Sequence, residues 1–237
     1  MDQLICPNCG AALPASAAIA EVVTCQYCRV TFRQARTYTP EPDLCNLILG
    51  ADFRQDPITG WGFPNKDNIQ FSNSTPPELR LKFPPWDGLY YALNSSGYFD
   101  NLDASVSITF YEGNVDLIDA GLVLRYRKTV GSYCLLISPI GTYNLGSYEK
   151  GQGEDLDWKS MLGWTKHNAL RTGLNQTNRL RFIAAGNHLR IYLNGVLATS
   201  IHDDRFDEGE VLLAAEATAK SSIDIGFTDL QLREAKA

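Results

Sequence analysis

The sequence predicts an all-β protein in two parts: a small cysteine-held unit at the N-terminus, then a large antiparallel sandwich or barrel. Three observations predict it. Four of the six cysteines fall into two Cys-x-x-Cys pairs within the first 28 residues. The stretch 39–43 carries two prolines, which remove backbone donors and push their neighbours towards extended geometry. From Leu44 onward, strand-length apolar runs bounded by Gly, Asn, Asp and Pro follow one another without a helical repeat.

The cysteine unit spans residues 1–38. Cys6-Pro7-Asn8-Cys9-Gly10 is followed by Cys25-Gln26-Tyr27-Cys28, a Cys-x2-Cys-x15-Cys-x2-Cys spacing inside the window for structural zinc sites. Two residues between thiolates let one tight knuckle present both sulfurs to a single ion, and two knuckles complete a tetrahedron. Gly10 relaxes the backbone after the first pair, and Arg29 holds the matching place after the second. Residues 22–24 and 30–32 read as a hairpin carrying the second knuckle. Disulfides, a dithiol redox centre and iron are the rival chemistries for such pairs. A segment this short cannot bury enough core to fold unaided, so a metal is the expected staple. Zinc on Cys6, Cys9, Cys25 and Cys28 is the expectation, and four thiolates leave no position for a catalytic water. The site is structural. The pattern also resembles, over residues 4–33, the short zinc ribbons at the ends of many bacterial proteins, which bind proteins or nucleic acids or serve as caps.

After the linker 39–43, the large domain is expected over 44–237. Candidate strands are 68–72, 78–83, 88–93, 104–111, 120–127, 133–138, 142–148, 179–184, 188–193, 211–217 and 223–232. Asn194-Gly195 tolerates the positive φ of a type I′ hairpin. Only 156–162 and 203–206 suggest a helical turn. Strands without intervening helices mean antiparallel sheets.

Pieces of this region, in order, resemble concanavalin-like (laminin-G-like) jelly rolls, in particular bacterial ones related to 3-keto-disaccharide hydrolases. Asp52-Phe53 and Gly60-Trp61 look like the family's opening. Gly121-Leu122-Val123-Leu124-Arg125-Tyr126, Tyr133-x-Leu135-x-Ile137-Ser138 and Gly141-x-Tyr143 look like its central strands. Asn178-Arg179-Leu180-Arg181-Phe182, Leu193-Asn194-Gly195, Asp203-x-x-Phe206-x-x-Gly209 and Phe227-x-Asp229-Leu230 look like its closing half. The resemblance implies a jelly roll and places Arg125 at the family's central arginine. The partner strand carries Cys134 and Leu136 where the relatives have acidic and amide groups, so the catalytic set is broken. The Glu-x-Asp-x-x-Glu strand of glycosidases with this fold is absent too, and Glu154-Asp155-Leu156-Asp157 reads as a solvated loop.

The formal charge of −6 argues against a general nucleic-acid or anionic-membrane role. Residues 1–39 are net +1, which leaves −7 for the rest. No apolar run approaches the ~20 residues of a membrane helix, so no membrane insertion is expected. The opening MDQLICPNCG lacks a basic n-region and an apolar h-region, and reduced metal-binding thiols fit the cytoplasm.

Smaller signals are weighed against plainer readings. His167, His188 and His202 have no triad-like company. Asp203, Asp204, Asp207 and Glu208 read as a structural loop rather than a calcium site, as does Asp100-Asn101-Leu102-Asp103. Tyr133, Tyr143, Tyr148, Trp158 and Trp164 form a possible sugar-stacking set against a core reading. Cys45 and Cys134 read as inert buried thiols. Strand alternation puts Arg125 on the outward, concave side, with Tyr143 or Trp164 as a neighbouring stacking surface. The expected function is therefore a non-catalytic binding or scaffold protein recognising a protein or glycan. A carbohydrate-active enzyme and ribbon-mediated nucleic-acid association are the alternatives.

Overall fold

Strands that alternate apolar and polar residues bury one face only by packing sheet on sheet. The described residues form fifteen strands and no helix. The computed structural model describes residues 8–13, 22–33, 44–51, 53, 61–62, 69–72, 75–94, 97–151 and 156–236. The chain divides into two compact units, Met1–Pro40 and Glu41–Ala237.

In the first unit β1 (Val22–Thr24) pairs antiparallel with β2 (Thr31–Arg33), Val22 opposite Arg33. The turn between them is tight: Cys25 N donates to Val30 O at 3.0 Å and Arg29 N donates to Cys25 O at 2.9 Å.

The second unit contains β3 (Leu47–Ala51), β4 (Trp61–Gly62), β5 (Ile69–Ser72), β6 (Glu78–Asn94), β7 (Leu102–Glu112), β8 (Ile118–Arg127) and β9 (Gly131–Ile137). Then come β10 (Thr142–Lys150), β11 (Leu156–Lys166), β12 (Thr177–Ala185), β13 (His188–Leu193), β14 (Val196–His202) and β15 (Glu210–Glu234). Residues 210–217 of β15 lie beside β8 and residues 224–234 beside β7, while β6 follows β15 through both halves. Two layers result. The first runs β11-β10-β9-β8-β15-β6-β4; the second runs β14-β13-β12-β7-β15-β6-β5, with β3 against the end of β15. The bend falls where Pro84 and Pro85 withhold donors in β6, and where Ala219 and Lys220 adopt φ of 52° and 56° in β15.

Between the layers, Ala120, Leu122 and Leu124 of β8 and Tyr133, Leu135 and Ile137 of β9 share one core with Val106, Ile108 and Phe110 of β7 and Leu180 and Phe182 of β12. Each fully buried large side chain contributes about 1.5–3 kcal/mol.

Three differences from the sequence expectation have physical causes. Residues 78–83 and 88–93 belong to one strand, as do 211–217 and 223–232, because both pairs continue through the bend. Residues 156–162 are not helical but open β11, whose alternation is broken by a bulge at Met161, between the pairs Gly146–Ser160 and Leu145–Leu162. β14 is a half-buried strand at the end of its layer, and a bulge between the pairs Ile191–Thr199 and Tyr192–Leu197 breaks its alternation. The Asn194-Gly195 turn does close β13 onto β14, with φ of 49° and 80°.

Candidate functional site

In the first unit, the thiols of Cys9, Cys25 and Cys28 lie within 4.8 Å of one another. Cys9 Sγ and Cys25 Sγ are 3.8 Å apart. That equals the edge of a tetrahedron with Zn–S of ~2.3 Å and is far from the ~2.05 Å of a disulfide. The donor set therefore fits a thiolate-bound metal. Cys6 lies outside the described residues. Gly10 and Arg29, each following a knuckle's second cysteine, take the same left-handed turn with φ of 70° and 58°. Arginine bears there the strain that glycine avoids.

The predicted ligand residues of the sandwich fare differently. Arg125 is not on an outward face. It sits at a bulge, at φ 56°, between the pairs Leu124–Tyr133 and Arg127–Gly131. Its guanidinium turns to backbone carbonyls, donating to Asp100 O (2.6 and 3.1 Å), Phe206 O (2.7 Å) and Gly186 O (2.9 Å). Only 3 % of it is exposed. Simple alternation fails because one residue in αL breaks the period of two. Tyr143 is also misplaced: it is 4 % exposed and belongs to the inter-layer core, as does Tyr133. Trp164 is 47 % exposed on β11. Asp203 accepts from Tyr133 Oη at 2.6 Å and pairs with Arg205 at 2.7 Å, so it is engaged within its own loop. His188 and His202 stack face to face, 4.5 Å apart.

A different constellation occupies the outer face of the first layer. Because Ala120, Leu122, Tyr133, Leu135, Tyr143, Leu145, Leu213 and Ala215 point inward, their neighbours point outward. These neighbours form an apolar floor of Val123, Cys134, Leu136, Leu212 and Ala214, flanked by Leu89, Tyr126 and Tyr148. Trp158 packs edge-on against Tyr148 at 5.0 Å and lies over Gly146, where a Cβ would come within 2.3 Å of its ring. Set into this face are three buried oxygens without a hydrogen-bond partner: Asp119 Oδ1, Ser132 Oγ and Asn144 Oδ1. Asp119 is 8 % exposed, Ser132 1 % and Asn144 4 %. Along β9 they fall at the register of residues 138, 132 and 136. They therefore span about 20 Å at ~3.4 Å per residue.

Asp119 stands directly across from Glu216 on β15. Burial, and then the charge of Glu216, push the Asp119 carboxyl well above the usual carboxylate range. Burial also raises Cys134 and Tyr148, helped by the field of the same two acids. Sequence reasoning missed Asp119 and Glu216. The available signal was a lone acid inside each of two apolar runs, Ile118-Asp119-Ala120 and Ala215-Glu216-Ala217.

On the outer face of the second layer lies a groove of about 800 Å³ lined by Thr75, Pro76, Glu78, Thr109, Tyr111 and Asp229, among others. Its polar groups are largely spent on each other. Tyr111 Oη donates to Glu78 at 2.6 Å, Thr109 bonds Thr177 at 2.8 Å, and Arg179 pairs with Asp229. Size favours this groove, but unmet hydrogen-bonding capacity favours the first layer, and capacity is what recognises a polar ligand.

Two stacked antiparallel layers of this kind form a concanavalin-like jelly roll. No family model matches the sequence, and no curated protein does. Solved structures are similar in fold. A carbohydrate-binding module from Bacillus subtilis shares 20% identity over 74% of this chain and 96% of its own, with a TM-score of 0.55. A protein of unknown function with a galectin-like fold, also from Bacillus subtilis, shares 12% over 82% and 99%, with a TM-score of 0.59. The laminarinase catalytic domain of Thermotoga maritima shares 8% over 82% and 100%, with a TM-score of 0.60. The fold is common to binding modules and enzymes, so function rests on the site.

Proposed function

We propose that the chain is a carbohydrate-binding protein: the sandwich holds an extended glycan along the outer face of its first layer, and the N-terminal ribbon is built on one structural zinc ion. The observation that carries the reading is the row of three buried, partnerless oxygens beside the Tyr148–Trp158 pair. Sugars present an apolar ring face and a rim of hydroxyl donors, so an apolar floor with unpartnered acceptors set into it and an aromatic wall complements them. The similarity in fold to a carbohydrate-binding module supports the same direction. A cytoplasmic setting with reduced thiols belongs to this reading.

A glycan array with the full-length chain, followed by titration calorimetry on the hits, tests it. Binding should be seen, and Trp158→Ala should weaken it about tenfold, as loss of a stacking contact does. Absence of any glycan binding, with a protein captured through the same face instead, would overturn the glycan reading. The Asp119–Glu216 pair favours one second reading, a glycoside-cleaving enzyme, because two carboxylates on one face are the minimal acid–base set. Turnover of a bound oligosaccharide is its mark.

For the ribbon, metal analysis should find about one zinc per chain, and Cys9→Ser should lose it and unfold the unit, because binding energy is folding energy at such sites. A metal-free protein with an oxidised Cys25–Cys28 pair would refute this.

A further inference from the structure

Independently of the glycan face, we infer that a pocket on the outer face of the second layer binds the doubly charged oxyanion end of a small molecule, a phosphate or sulfate group held by Arg190 and Lys236. One row of outward side chains crosses that layer. Arg233 of β15 stands opposite Asp103 of β7, Asp103 opposite Ile183 of β12, and Ile183 opposite Arg190 of β13. Their chain neighbours Leu102, Ala104, Phe182, Ala184, Leu189 and Ile191 belong to the core, which turns the row outward. Over this row lies a cavity of about 440 Å³, large enough for a small organic ligand.

The charges around the cavity do not balance. Arg181, Arg190 and Lys236 line it together with Asp103 and Glu234. Both acids are already engaged. Asp103 accepts two bonds from the Arg181 fork, at 2.9 and 2.7 Å, and Glu234 accepts from the Asn46 amide at 2.9 Å. Among the described residues no carboxylate pairs with Arg190, Lys236 or Arg233. The Nε atoms of Arg190 and Arg233 are buried without an acceptor. The other Arg233 donors meet neutral oxygens, Cys45 O at 3.0 Å and Gln231 Oε1 at 3.1 Å.

A guanidinium that is partly desolvated and lacks a counter-charge is complemented by an oxyanion, which brings negative charge and several acceptors on one group. Arg190 Nε is out of water already, so an acceptor that reaches it gains a bond without stripping further water from that atom. The arginine fork matches phosphate and carboxylate alike, so charge makes the choice. Arg190 and Lys236 on the cavity, with Arg233 behind them in the row, favour a dianion over a monocarboxylate. Leu44, Ile183 and Ala235 leave an apolar wall for the organic remainder. A polyanionic chain is disfavoured, because it would lie along a protein of formal charge −6.

The experiment is titration calorimetry on the full-length protein at neutral pH and low salt. The probes are glycerol phosphate, glycerate as the monocarboxylate of similar size, inorganic phosphate and inorganic sulfate, with Arg190→Gln and Lys236→Gln run in parallel. Glycerol phosphate should bind about tenfold tighter than glycerate, and Arg190→Gln should weaken it about tenfold or more, the worth of a charge-assisted hydrogen bond. Lys236→Gln, at an exposed site, should weaken it about threefold. Both variants should unfold with the wild type in the absence of ligand, since neither cation is in an ion pair. Equal affinity for glycerate and glycerol phosphate overturns the choice of a dianion. Inorganic phosphate or sulfate binding as tightly as glycerol phosphate overturns the small-molecule part and leaves a site for the free ion. Failure of every anion to bind, or binding untouched by Arg190→Gln, overturns the site, and none of these outcomes bears on the glycan reading of the other face.

Discussion

The two outer faces of the sandwich both carry buried polar side chains but, among the described residues, leave opposite things unsatisfied. On the second layer, Arg181 grips Asp103 through two bonds of 2.9 and 2.7 Å with both side chains about 5 % exposed. Asp224 takes Arg80 and Lys82 together, and Arg80 lies 4.1 Å over the Tyr111 ring. What remains there is donor capacity, at the Nε atoms of Arg190 and Arg233. On the first layer the remainder is acceptor capacity, at Asp119, Ser132 and Asn144. A satisfied polar group stabilises the fold modestly, whereas an unsatisfied buried one costs stability that a ligand can recover. The second face therefore largely satisfies itself, whereas the first keeps the capacity on which the proposed recognition draws.

Substitutions on the structural side should show the largest losses of stability and none of function. Arg181→Ala leaves the Asp103 carboxylate buried and alone, and should cost about 3–5 kcal/mol in denaturant unfolding while glycan affinity is kept. Arg125→Ala removes a buried guanidinium and strips donors from the carbonyls of Asp100, Gly186 and the buried Phe206, and should cost about 3 kcal/mol, again with binding intact in the folded fraction. If Arg125→Ala instead abolished binding with little change in stability, the assignment of this arginine to the framework would fall.

Legibility in the sequence followed how local each rule is. The paired-cysteine spacing marks the cluster of Cys9, Cys25 and Cys28 because two-residue knuckles are set by neighbours in the chain. The strands of the core stand out, β13 because its alternation marks one buried face, and β8 and β9 as apolar runs buried on both faces. β14 and β11 stayed hidden because a bulge scrambles the period of each. Arg125 misled for the same reason: nothing in Leu124-Arg125-Tyr126 announces a residue in αL. Of the five aromatics marked as a stacking set, Tyr148 flanks the outer face with Trp158 packed against it and Trp164 is exposed, while Tyr133 and Tyr143 are core. Ser132 and Asn144 carried no signal at all, since being unpartnered is a property of three neighbouring strands.

On the recognition side the sign of the effect reverses. Asp119 has its folded-state pKa raised above the unfolded value, so the folded protein binds the extra proton. Such a group adds stability at acid pH and loses it as pH rises from the ordinary carboxylate range through the raised value. Asp119→Asn removes that loss. The variant and wild type should unfold alike at acid pH, and at neutral pH the variant should be the more stable of the two. A variant less stable than wild type at neutral pH would mean that Asp119 is partnered after all.

The smallest effect on stability is expected at Trp164, and it sharpens the comparison most. Trp158 leans over Gly146 and against Tyr148, so its loss disturbs packing as well as binding. Trp164 instead stands 47 % exposed on β11 near the register of Asn144, while its neighbours Met161 and Leu162 pack inward. Removing a half-exposed side chain away from a core contact usually moves stability by no more than about 0.5 kcal/mol. Trp164→Ala should therefore melt with the wild type yet bind an extended glycan several-fold more weakly, because a ring at the rim stacks on the sugar nearest Asn144. Tryptophan fluorescence offers an independent reading. Ligand should shift wild-type emission to shorter wavelength as the exposed indole is covered, and the shift should shrink in Trp164→Ala. An unchanged affinity and an undiminished shift in that variant would end the binding trough at Trp158 and leave Trp164 as an ordinary surface residue.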